Sequence, residues 1–256
     1  GVQTLLFRSP LMSRKRETVL VTGSSSGIGL DIARGFLEKG FNVVLNARNE
    51  KKLSEAARVL GQDNPIAWVA GDIGNKETGE KMVRAAVDRF GGVNVLVNNA
   101  GIFGVKPFLE NSEEDLDAFI HTNLKGTYFV SQAAVRQMKK QGGGSIVNIG
   151  TVLVLHPTAS LPATAPLVTK GGVHALTTSL ASELAADNIR VNAVAAGTIR
   201  TPLWGDADVD SFSGTTLMNR VGEVGEITEA VFNLATSSFT TGVILPVDGG
   251  YVHGRS

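Results

Sequence analysis

The stretch Thr-Val-Leu-Val-Thr-Gly-Ser-Ser-Ser-Gly-Ile-Gly, residues 18–29, joins a short apolar run to a glycine-rich turn, and a helical pattern follows at once. A pyrophosphate that binds at such a junction needs a tight turn, a bare backbone and the unpaired N–H groups of a helix N-terminus. Gly23, Gly27 and Gly29 supply these features in order. Their position, between the first strand and the first helix, favours a nucleotide site over an ordinary glycine-rich turn.

Six further runs rich in β-branched and apolar residues follow, at residues 42–45, 66–69, 93–97, 145–149, 189–194 and 243–247. They do not alternate with polar residues, which is typical of strands buried on both faces. Helix-length amphipathic segments lie between them, such as residues 30–39, 76–90, 113–139 and 170–186. The alternation predicts an α/β fold: a doubly wound parallel sheet of about seven strands with helices on both faces. Ligands of such sheets bind beyond the carboxyl ends of the strands.

Length and amino-acid composition indicate the number of domains and exclude several kinds of site and partner. The chain has 256 residues, and no repeat or linker interrupts residues 18–256, so we predict one domain there. The absence of cysteine excludes a disulfide framework, a thiolate zinc site and a cysteine nucleophile, and we expect no metal site. The 24 basic residues balance the 24 acidic ones, which argues against nucleic acid as a partner. Every apolar run is shorter than the roughly 20 residues that span a bilayer, so we expect a soluble, cytoplasmic protein without a membrane partner.

Residues 1–17 are interpreted as an N-terminal extension and excluded from the fold prediction. An apolar patch at residues 5–7 precedes Arg8, and Met12 precedes a basic Ser-Arg-Lys-Arg segment. A cloning remnant, an upstream extension and part of an acid-poor organelle-targeting peptide all fit this pattern. The sequence leaves these three origins open.

The end of the second strand bears on the choice of nucleotide. An acidic residue about 20 residues after the glycine turn would bind the ribose hydroxyls of NAD(H) and repel a 2′-phosphate. The segment here is Asn46-Ala47-Arg48, with a guanidinium and no carboxylate. It therefore favours NADP(H) over NAD(H). The alternative is that Arg48 is only a solvated loop residue.

Later motifs extend the pattern. They are Asn-Asn-Ala-Gly at residues 98–101, Asn123 within a helix, Asn-Ile-Gly-Thr at residues 148–151, Lys-Gly-Gly-Val at residues 170–173 and Val-Asp-Gly-Gly at residues 247–250. Together with the glycine turn, they resemble the classical group of short-chain dehydrogenases/reductases over residues 18–251. The resemblance implies a single Rossmann-type domain, usually a homotetramer or homodimer. Such proteins move a hydride between nicotinamide and a carbonyl or alcohol.

The resemblance also implies site residues. In the family a Ser, a Tyr, a Lys and an Asn carry the chemistry, and motif match places Thr151 at the Ser position, Lys170 at the Lys position and Asn123 at the Asn position. Threonine keeps the hydroxyl that orients the substrate oxygen. The cofactor contacts implied in the same way are Gly23, Ser25, Ser26, Gly27, Ile28, Gly29, Arg48, Asp72, Ile73, Asn99, Ala100, Gly101, Lys170, Gly197, Ile199 and Thr201. Ala196 stands where the family usually has proline before that last segment.

One position departs from the family pattern. The catalytic Tyr lies four residues before the Lys in the family, and here that position is Pro166, which has no titratable group. Of the two tyrosines, we expect Tyr128 to be a buried or helix-packing aromatic, and Tyr251 to meet a neighbouring subunit or cover the end of the sheet. His156 is either an exposed loop histidine or a substitute acid, because an imidazole exchanges protons near neutral pH.

Residues 203–221, rich in glycine, serine and aspartate, are interpreted as a mobile lid over a substrate pocket, with Trp204, Phe212 and Leu217 as candidate lining residues or core anchors. The sequence thus predicts an NADP(H)-dependent oxidoreductase acting on a small carbonyl or alcohol, with an altered and weakened active centre. The alternative is a catalytically silent NADP(H)-binding protein, either a redox sensor or the partner subunit of an active relative.

Overall fold

A computed structural model describes residues 16–61 and 63–254 of the chain, and the extension predicted for residues 1–17 lies outside them except for its last two residues. The strands are β1 (Thr18–Thr22), β2 (Asn42–Ala47), β3 (Ile66–Ala70), β4 (Val95–Asn98), β5 (Gly144–Thr151), β6 (Ile189–Ala196) and β7 (Ile244–Val247). They form one sheet in the order β3-β2-β1-β4-β5-β6-β7, and every neighbouring pair is parallel. The predicted seven-stranded parallel sheet is confirmed.

The helices are α1 (Gly27–Glu38), α2 (Glu50–Leu60), α3 (Lys76–Phe90), α4 (Glu113–Phe119), α5 (Gly126–Gln141), α6 (Thr164–Glu183) and α7 (Val224–Thr236). Two predicted helices need correction. Residues 113–139 are not one helix, because a π-helical segment, Ile120–Lys125, separates α4 from α5. The helix predicted for residues 170–186 begins at Thr164, because a proline in the first turn removes no intrahelical hydrogen bond.

The helices cover both faces of the sheet, as predicted for a doubly wound fold. On one face, α1, α2 and α7 bury an apolar cluster against β1 and β2, in which Phe36 packs edge-on to Phe41 and Phe232 at centroid distances of 5.0 and 5.4 Å. On the other face, α3, α5 and α6 bury Met82, Met138 and their neighbours against the central strands. Burial of the strands from both sides explains their continuous apolar sequences.

The carboxyl ends of the strands position the candidate site. The chain runs from β1 to β2 in one direction and crosses back to β4 on the other side of β1, which opens a crevice between the loops after β1 and β4. Hydrogen bonds hold these loops together: the Thr22 hydroxyl accepts the N–H groups of Asn99 and Ala100 at 3.0 Å, and the Asn99 amide donates to the carbonyls of Thr22 and Gly23.

None of the described helices combines the length and the apolar character needed to cross a membrane. Within residues 16–61 and 63–254 there is also no group of three or more His, Cys, Asp and Glu side chains arranged to hold a metal ion.

Candidate active site

The glycine turn forms a cradle of bare backbone. Gly23 and Gly27 adopt positive φ angles of 64° and 56°, a region that glycine enters without strain. A Cβ atom at Gly23 would lie 2.7 Å from the Ala100 Cα, and one at Gly29 would collide with the Asn99 amide. Ser26, the N-cap of α1, makes no side-chain capping bond, so the first N–H groups of α1 are left for an anion. This arrangement fits a dinucleotide pyrophosphate.

A cleft of about 1100 Å³ opens at the carboxyl edge of the sheet. The residues predicted from the sequence that line it are Gly23, Ser25, Ser26, Gly27, Ile28, Arg48, Asp72, Ile73, Asn99, Ala100, Gly101, Thr151, Lys170, Gly197, Ile199 and Thr201. Two predicted residues do not line it. Gly29 packs behind the turn against Gly23 and Asn99, and Asn123 is fully buried behind Gly101.

The corner after β2 is exposed and basic. Arg48 and Lys52 both line the cleft there. Asn49 between them caps α2 by accepting the Lys52 N–H at 3.0 Å. Buried Asn46 fixes the corner, because its amide donates to the carbonyls of Val69 and Gly71 at the end of the neighbouring strand. Lys52, in the first turn of α2, is missing from the sequence prediction, and because Arg48 precedes the N-cap Asn49, helical spacing does not relate the two side chains.

Lys170 projects from α6 into the middle of the cleft, where its ammonium donates to the Ile149 carbonyl at 2.7 Å. Burial lowers the pKa of Lys170 from 10.5 to about 8, because desolvation disfavours the charged form. A Cβ atom at Gly101 would lie 3.2 Å from the Lys170 Nζ and 3.1 Å from the Asn123 Oδ1. The glycine therefore lets the Asn99–Gly101 loop approach both side chains.

Asn123 lies in the π-helical segment and holds two loops together. Its amide donates to the Ile102 carbonyl at 3.0 Å and to the Thr169 hydroxyl at 3.1 Å, and its Oδ1 accepts the Ile102 N–H at 2.8 Å. The side chain therefore ties the loop after β4 to the residue that precedes Lys170. Its own carbonyl accepts the hydroxyl of Thr127.

Pro166 lies in the first turn of α6, and Thr151 lies at the end of β5. Pro166 is the third residue of the helix and is buried, and its carbonyl accepts the Thr169 hydroxyl at 2.8 Å. Its nitrogen needs no partner in the first turn, so the helix accommodates proline four residues before Lys170. Thr151 ends β5, and its hydroxyl oxygen accepts the Leu153 N–H at 3.3 Å.

One turn beyond Lys170, His174 packs against the backbone of Gly150 on β5 and is 5% exposed. Neither of its ring nitrogens has a hydrogen-bond partner among the described residues. Burial, together with the charge of Lys170, lowers the pKa of His174 from 6.5 to about 4. The imidazole is therefore neutral at physiological pH.

Of the remaining aromatic candidates, Tyr251 and His156 line the cleft and Tyr128 does not. Tyr128 on α5 is 48% exposed, so the expectation of a buried residue is wrong, although its ring contacts Phe129 edge-on. Tyr251 lies at the end of the sheet, as one of the two expectations had it, and also lines the cleft. Its ring meets that of His156 edge-on at 5.7 Å. His156 is exposed on the cleft wall.

The segment predicted as a lid, residues 203–221, contributes side chains to the wall of the cleft. Its two ends meet in a parallel bridge between Ile199 and Gly222. The Trp204 indole donates to the Ile199 carbonyl at 2.9 Å and packs on Phe212, and both rings line the cleft. Leu217 is not among the lining residues and contacts Gly250 instead. Its side chain therefore packs against the turn that precedes Tyr251.

An ion-pair cluster fixes the outer side of the lid. The Arg200 guanidinium binds Asp210 at 2.6 Å and Glu223, at the N-terminus of α7, at 3.0 Å. These hydrogen bonds raise the pKa of Arg200, and the guanidinium lowers the pKa of Asp210. All three groups are exposed to solvent, so the cluster is screened by salt.

The sequence matches the family described as "short chain dehydrogenase" over residues 17–210. It is 36% identical to an L-rhamnose-1-dehydrogenase of Scheffersomyces stipitis, over 91% of this chain and 95% of that protein. It is 35% identical to a 3alpha-hydroxysteroid dehydrogenase of Mediterraneibacter gnavus, over 93% and 98%. Its structure resembles that of ElxO with NADP bound, with a TM-score of 0.86 at 31% identity over 93% of this chain and 99% of that one. A tyrosine-to-phenylalanine variant of ElxO with NADPH bound is equally similar, with a TM-score of 0.86.

Proposed function

The chain belongs to the short-chain dehydrogenase family, and we propose that it is an NADP(H)-dependent oxidoreductase with a non-standard active centre. Its substrate is a small carbonyl compound or alcohol. The observation that carries the proposal is the cleft at the carboxyl edge of the sheet. It brings the glycine turn, Arg48 and the Asn99–Gly101 loop together with Thr151 and Lys170.

Different residues of the cleft bind different parts of the cofactor. The glycine turn and the N-terminus of α1 hold the pyrophosphate. Asp72 and Ile73 hold the adenine, and Arg48 with Lys52 binds the 2′-phosphate. Lys170 binds the nicotinamide ribose, and the segment with Gly197, Ile199 and Thr201 holds the carboxamide. The bound cofactor supplies or accepts the hydride. The NADP in the similar ElxO structure supports this choice of nucleotide.

Pro166 takes the place of the family's catalytic tyrosine in this proposal. The loss of a positioned general acid typically lowers the rate by about 10²–10⁴. The Thr151 hydroxyl still orients the substrate oxygen, and the Lys170 ammonium still stabilises negative charge on it. His156 on the same wall is the candidate substitute acid. We therefore propose weak hydride transfer.

A catalytically silent NADP(H)-binding protein is the second candidate, and Pro166 is the observation that favours it. The glycine turn and Lys170 contact phosphate and ribose without help from a phenol. Binding and catalysis are therefore separable in this cleft. The ElxO variant that lacks a tyrosine hydroxyl and holds NADPH supports the separation.

Fluorescence titration tests the cofactor. We expect NADPH to bind at least about tenfold more tightly than NADH, because one charge-assisted hydrogen bond to the 2′-phosphate has about that effect. Arg48→Ala should abolish most of the difference. Arg58→Ala, at the exposed far end of α2, removes the same charge away from the cleft and should leave it unchanged. Equal affinities for the two nucleotides in the wild-type protein would contradict the NADP(H) preference.

A second assay separates the two candidates. NADPH absorbance is followed with a panel of aldehydes and diketones, because oxidation of the cofactor reports turnover directly. Turnover above the rate without protein favours the enzyme. Tight NADPH binding without turnover favours the silent protein.

The homo-oligomeric state implied by the resemblance, and the cytoplasmic location expected from the sequence, belong to the same proposal. Large apolar side chains such as Phe108 and Leu109, exposed by 70% and 93%, support association of copies of the chain. Light scattering measures the mass in solution, and a monomeric mass would contradict the oligomer.

A further inference from the structure

A second cavity, of about 500 Å³, adjoins the cleft beside the corner that follows β3. Arg48, Asp72 and Ile102 line both cavities and therefore form the boundary between them. The outer wall of the second cavity consists of residues of α4 and of the π-helical segment Ile120–Lys125. Such π-helical insertions are rare and often lie at functional sites. Here the insertion faces the corner to which the proposed function assigns the adenine.

The π-helical segment packs closely on this corner. A Cβ atom at Gly74 would collide with the imidazole ring of His121, so the glycine lets that ring approach the backbone. A Cβ atom at Gly126, where α5 begins, would collide in the same way with the side chain of Ile73. The two contacts hold the imidazole against the turn that carries Asp72.

His121 and Asp72 face each other at the boundary. The His121 Nε2 lies 3.4 Å from the Asp72 Oδ1, which also accepts the Gly74 N–H at 2.8 Å. None of the described residues hydrogen-bonds to the other carboxylate oxygen, Oδ2. The Asp72 side chain is 32% exposed and lines the cleft. One carboxylate oxygen is therefore engaged by the protein, and the other is left to accept a hydrogen bond from a ligand.

We propose that His121 is a positioning residue that holds the Asp72 carboxylate for the adenine, so that the two residues together select a 6-aminopurine over a 6-oxopurine. This inference rests on the proposed function, which places the adenine at Asp72 and Ile73. A carboxylate only accepts hydrogen bonds, so it binds the amino group of adenine and gains nothing from the oxo group of hypoxanthine. His121 acts through Asp72, because it lines the second cavity and not the cleft.

An imidazole suits this role in either charge state. The imidazolium carries a proton on Nε2, and in the neutral ring the facing carboxylate favours the tautomer with that proton. A carboxylate that rotates freely must be ordered when the base binds, and this ordering weakens binding by about two- to tenfold. A carboxylate already fixed by His121 and the Gly74 N–H avoids that loss.

Fluorescence titration with two cofactors tests the proposal without relying on turnover. NADPH is compared with its hypoxanthine analogue, in which an oxo group replaces the 6-amino group and the rest of the molecule is unchanged. We expect the wild-type protein to bind NADPH about tenfold more tightly than the analogue. His121→Leu should reduce that preference to about threefold or less, whereas His121→Gln, which keeps an N–H donor, should retain most of it.

Two further variants calibrate the measurement. His253→Leu makes the same change at an exposed histidine that follows β7, at the opposite edge of the sheet from β3, and should keep the full preference. Asp72→Asn should abolish the preference, because an amide both donates and accepts hydrogen bonds and so pairs with either base.

The proposal is overturned if the wild-type protein binds the two cofactors equally, or if His121→Leu keeps the full preference. It is also overturned if His121→Gln loses as much of the preference as His121→Leu does. A preference that survives in Asp72→Asn would place the adenine elsewhere and overturn the proposal as well. Failure of the wild-type protein to bind NADPH at all would count against the proposed function instead.

Discussion

In the proposed function, Pro166 is the residue at which fold and chemistry separate. It lies on the first turn of α6, four residues before Lys170, so a side chain there and the ammonium share one face of the helix. The helix accepts proline because the position needs no N–H partner. A phenol at this position would place a proton donor beside Lys170, which is the arrangement that the family resemblance implies.

Pro166→Tyr should therefore raise turnover. We expect an increase of about 10²-fold or more with an aldehyde or diketone, because a general acid is restored. NADPH affinity should be unchanged. Pro166→Phe is the matched control, since it adds the ring without the hydroxyl and should leave turnover at the wild-type level. A flat rate in a Tyr variant that still binds NADPH would show that the missing phenol does not limit the reaction.

If Lys170 binds the nicotinamide ribose as proposed, we expect the affinity for NADPH to depend on pH. Its lowered pKa, about 8, means that the free protein loses the ammonium as the pH rises through that value. An ammonium binds the ribose hydroxyls more strongly than a neutral amine does. We expect the Kd of NADPH to rise about five- to tenfold between about pH 7 and pH 9.5.

Fluorescence titrations across this pH range check the prediction. Lys170→Met should bind NADPH more weakly at neutral pH, with a nearly constant Kd over the range. An equally steep rise in the methionine variant would assign the effect to another group.

At the scale of elements, α6 links the cleft to the core. Pro166, Lys170 and His174 follow one another at intervals of four residues along one face of the helix. Lys170 lines the cleft and Pro166 is buried, and His174 is buried against β5 with neither ring nitrogen partnered among the described residues. A buried imidazole without a partner for its proton makes the folded state sensitive to acid.

The sign of this sensitivity follows from the pKa of His174, which burial lowers from 6.5 to about 4 in the folded protein. Between these values the unfolded chain takes up a proton that the folded protein does not, so stability falls as the pH falls. The limiting slope is about 1.4 kcal/mol per pH unit.

Urea unfolding at neutral pH and at about pH 5 measures this slope. His174→Leu should lose less stability than the wild type over the interval, whereas His253→Leu, an exposed control, should behave like the wild type. Identical acid sensitivity in His174→Leu and the wild type would contradict the assignment.

At the scale of the whole molecule, the sheet was predictable because a parallel sheet covered on both faces leaves continuous apolar runs in the sequence. The helices were less predictable from the sequence. In α2 the buried residues Leu53, Ala56, Ala57 and Leu60 do recur at helical spacing, whereas the π-helical segment at Asn123 leaves no such signal. Motif order was enough to expect that Thr151, Lys170 and the glycine turn share a cleft, although their roles are still predictions. The contact of His156 with Tyr251 was not predictable, since it depends on how the loops after β5 and β7 converge.

An exposed ion pair between Asp210 and Arg200 joins the segment predicted as a lid to the chain that precedes it. Asp210→Asn removes a carboxylate that binds Arg200 and should speed thermolysin cleavage within residues 203–221 about two- to threefold, since exposed ion pairs contribute little. Added salt should speed cleavage of the wild type and have less effect on the variant. Mass spectrometry of the fragments gives the rates.

Asp206→Asn is the matched control, because it removes the same charge from the same lid without breaking the bond to Arg200. It should leave the cleavage rate and its dependence on salt unchanged. Equal cleavage of the wild type and Asp210→Asn at low salt would show that the ion pair does not restrain the lid.

The bridge between Ile199 and Gly222 has a further consequence for how such a protein diversifies. Because Ile199 and Gly222 form this bridge, the chain between them is a closed loop, which a hydrogen bond from the Met218 N–H to the Gly249 carbonyl at 3.0 Å also joins to the turn after β7. Insertions or deletions between Leu203 and Thr215 would therefore leave both attachments, and with them the strand register, in place. This part of the loop is therefore able to vary in length and sequence without a change in the pairing of the seven strands.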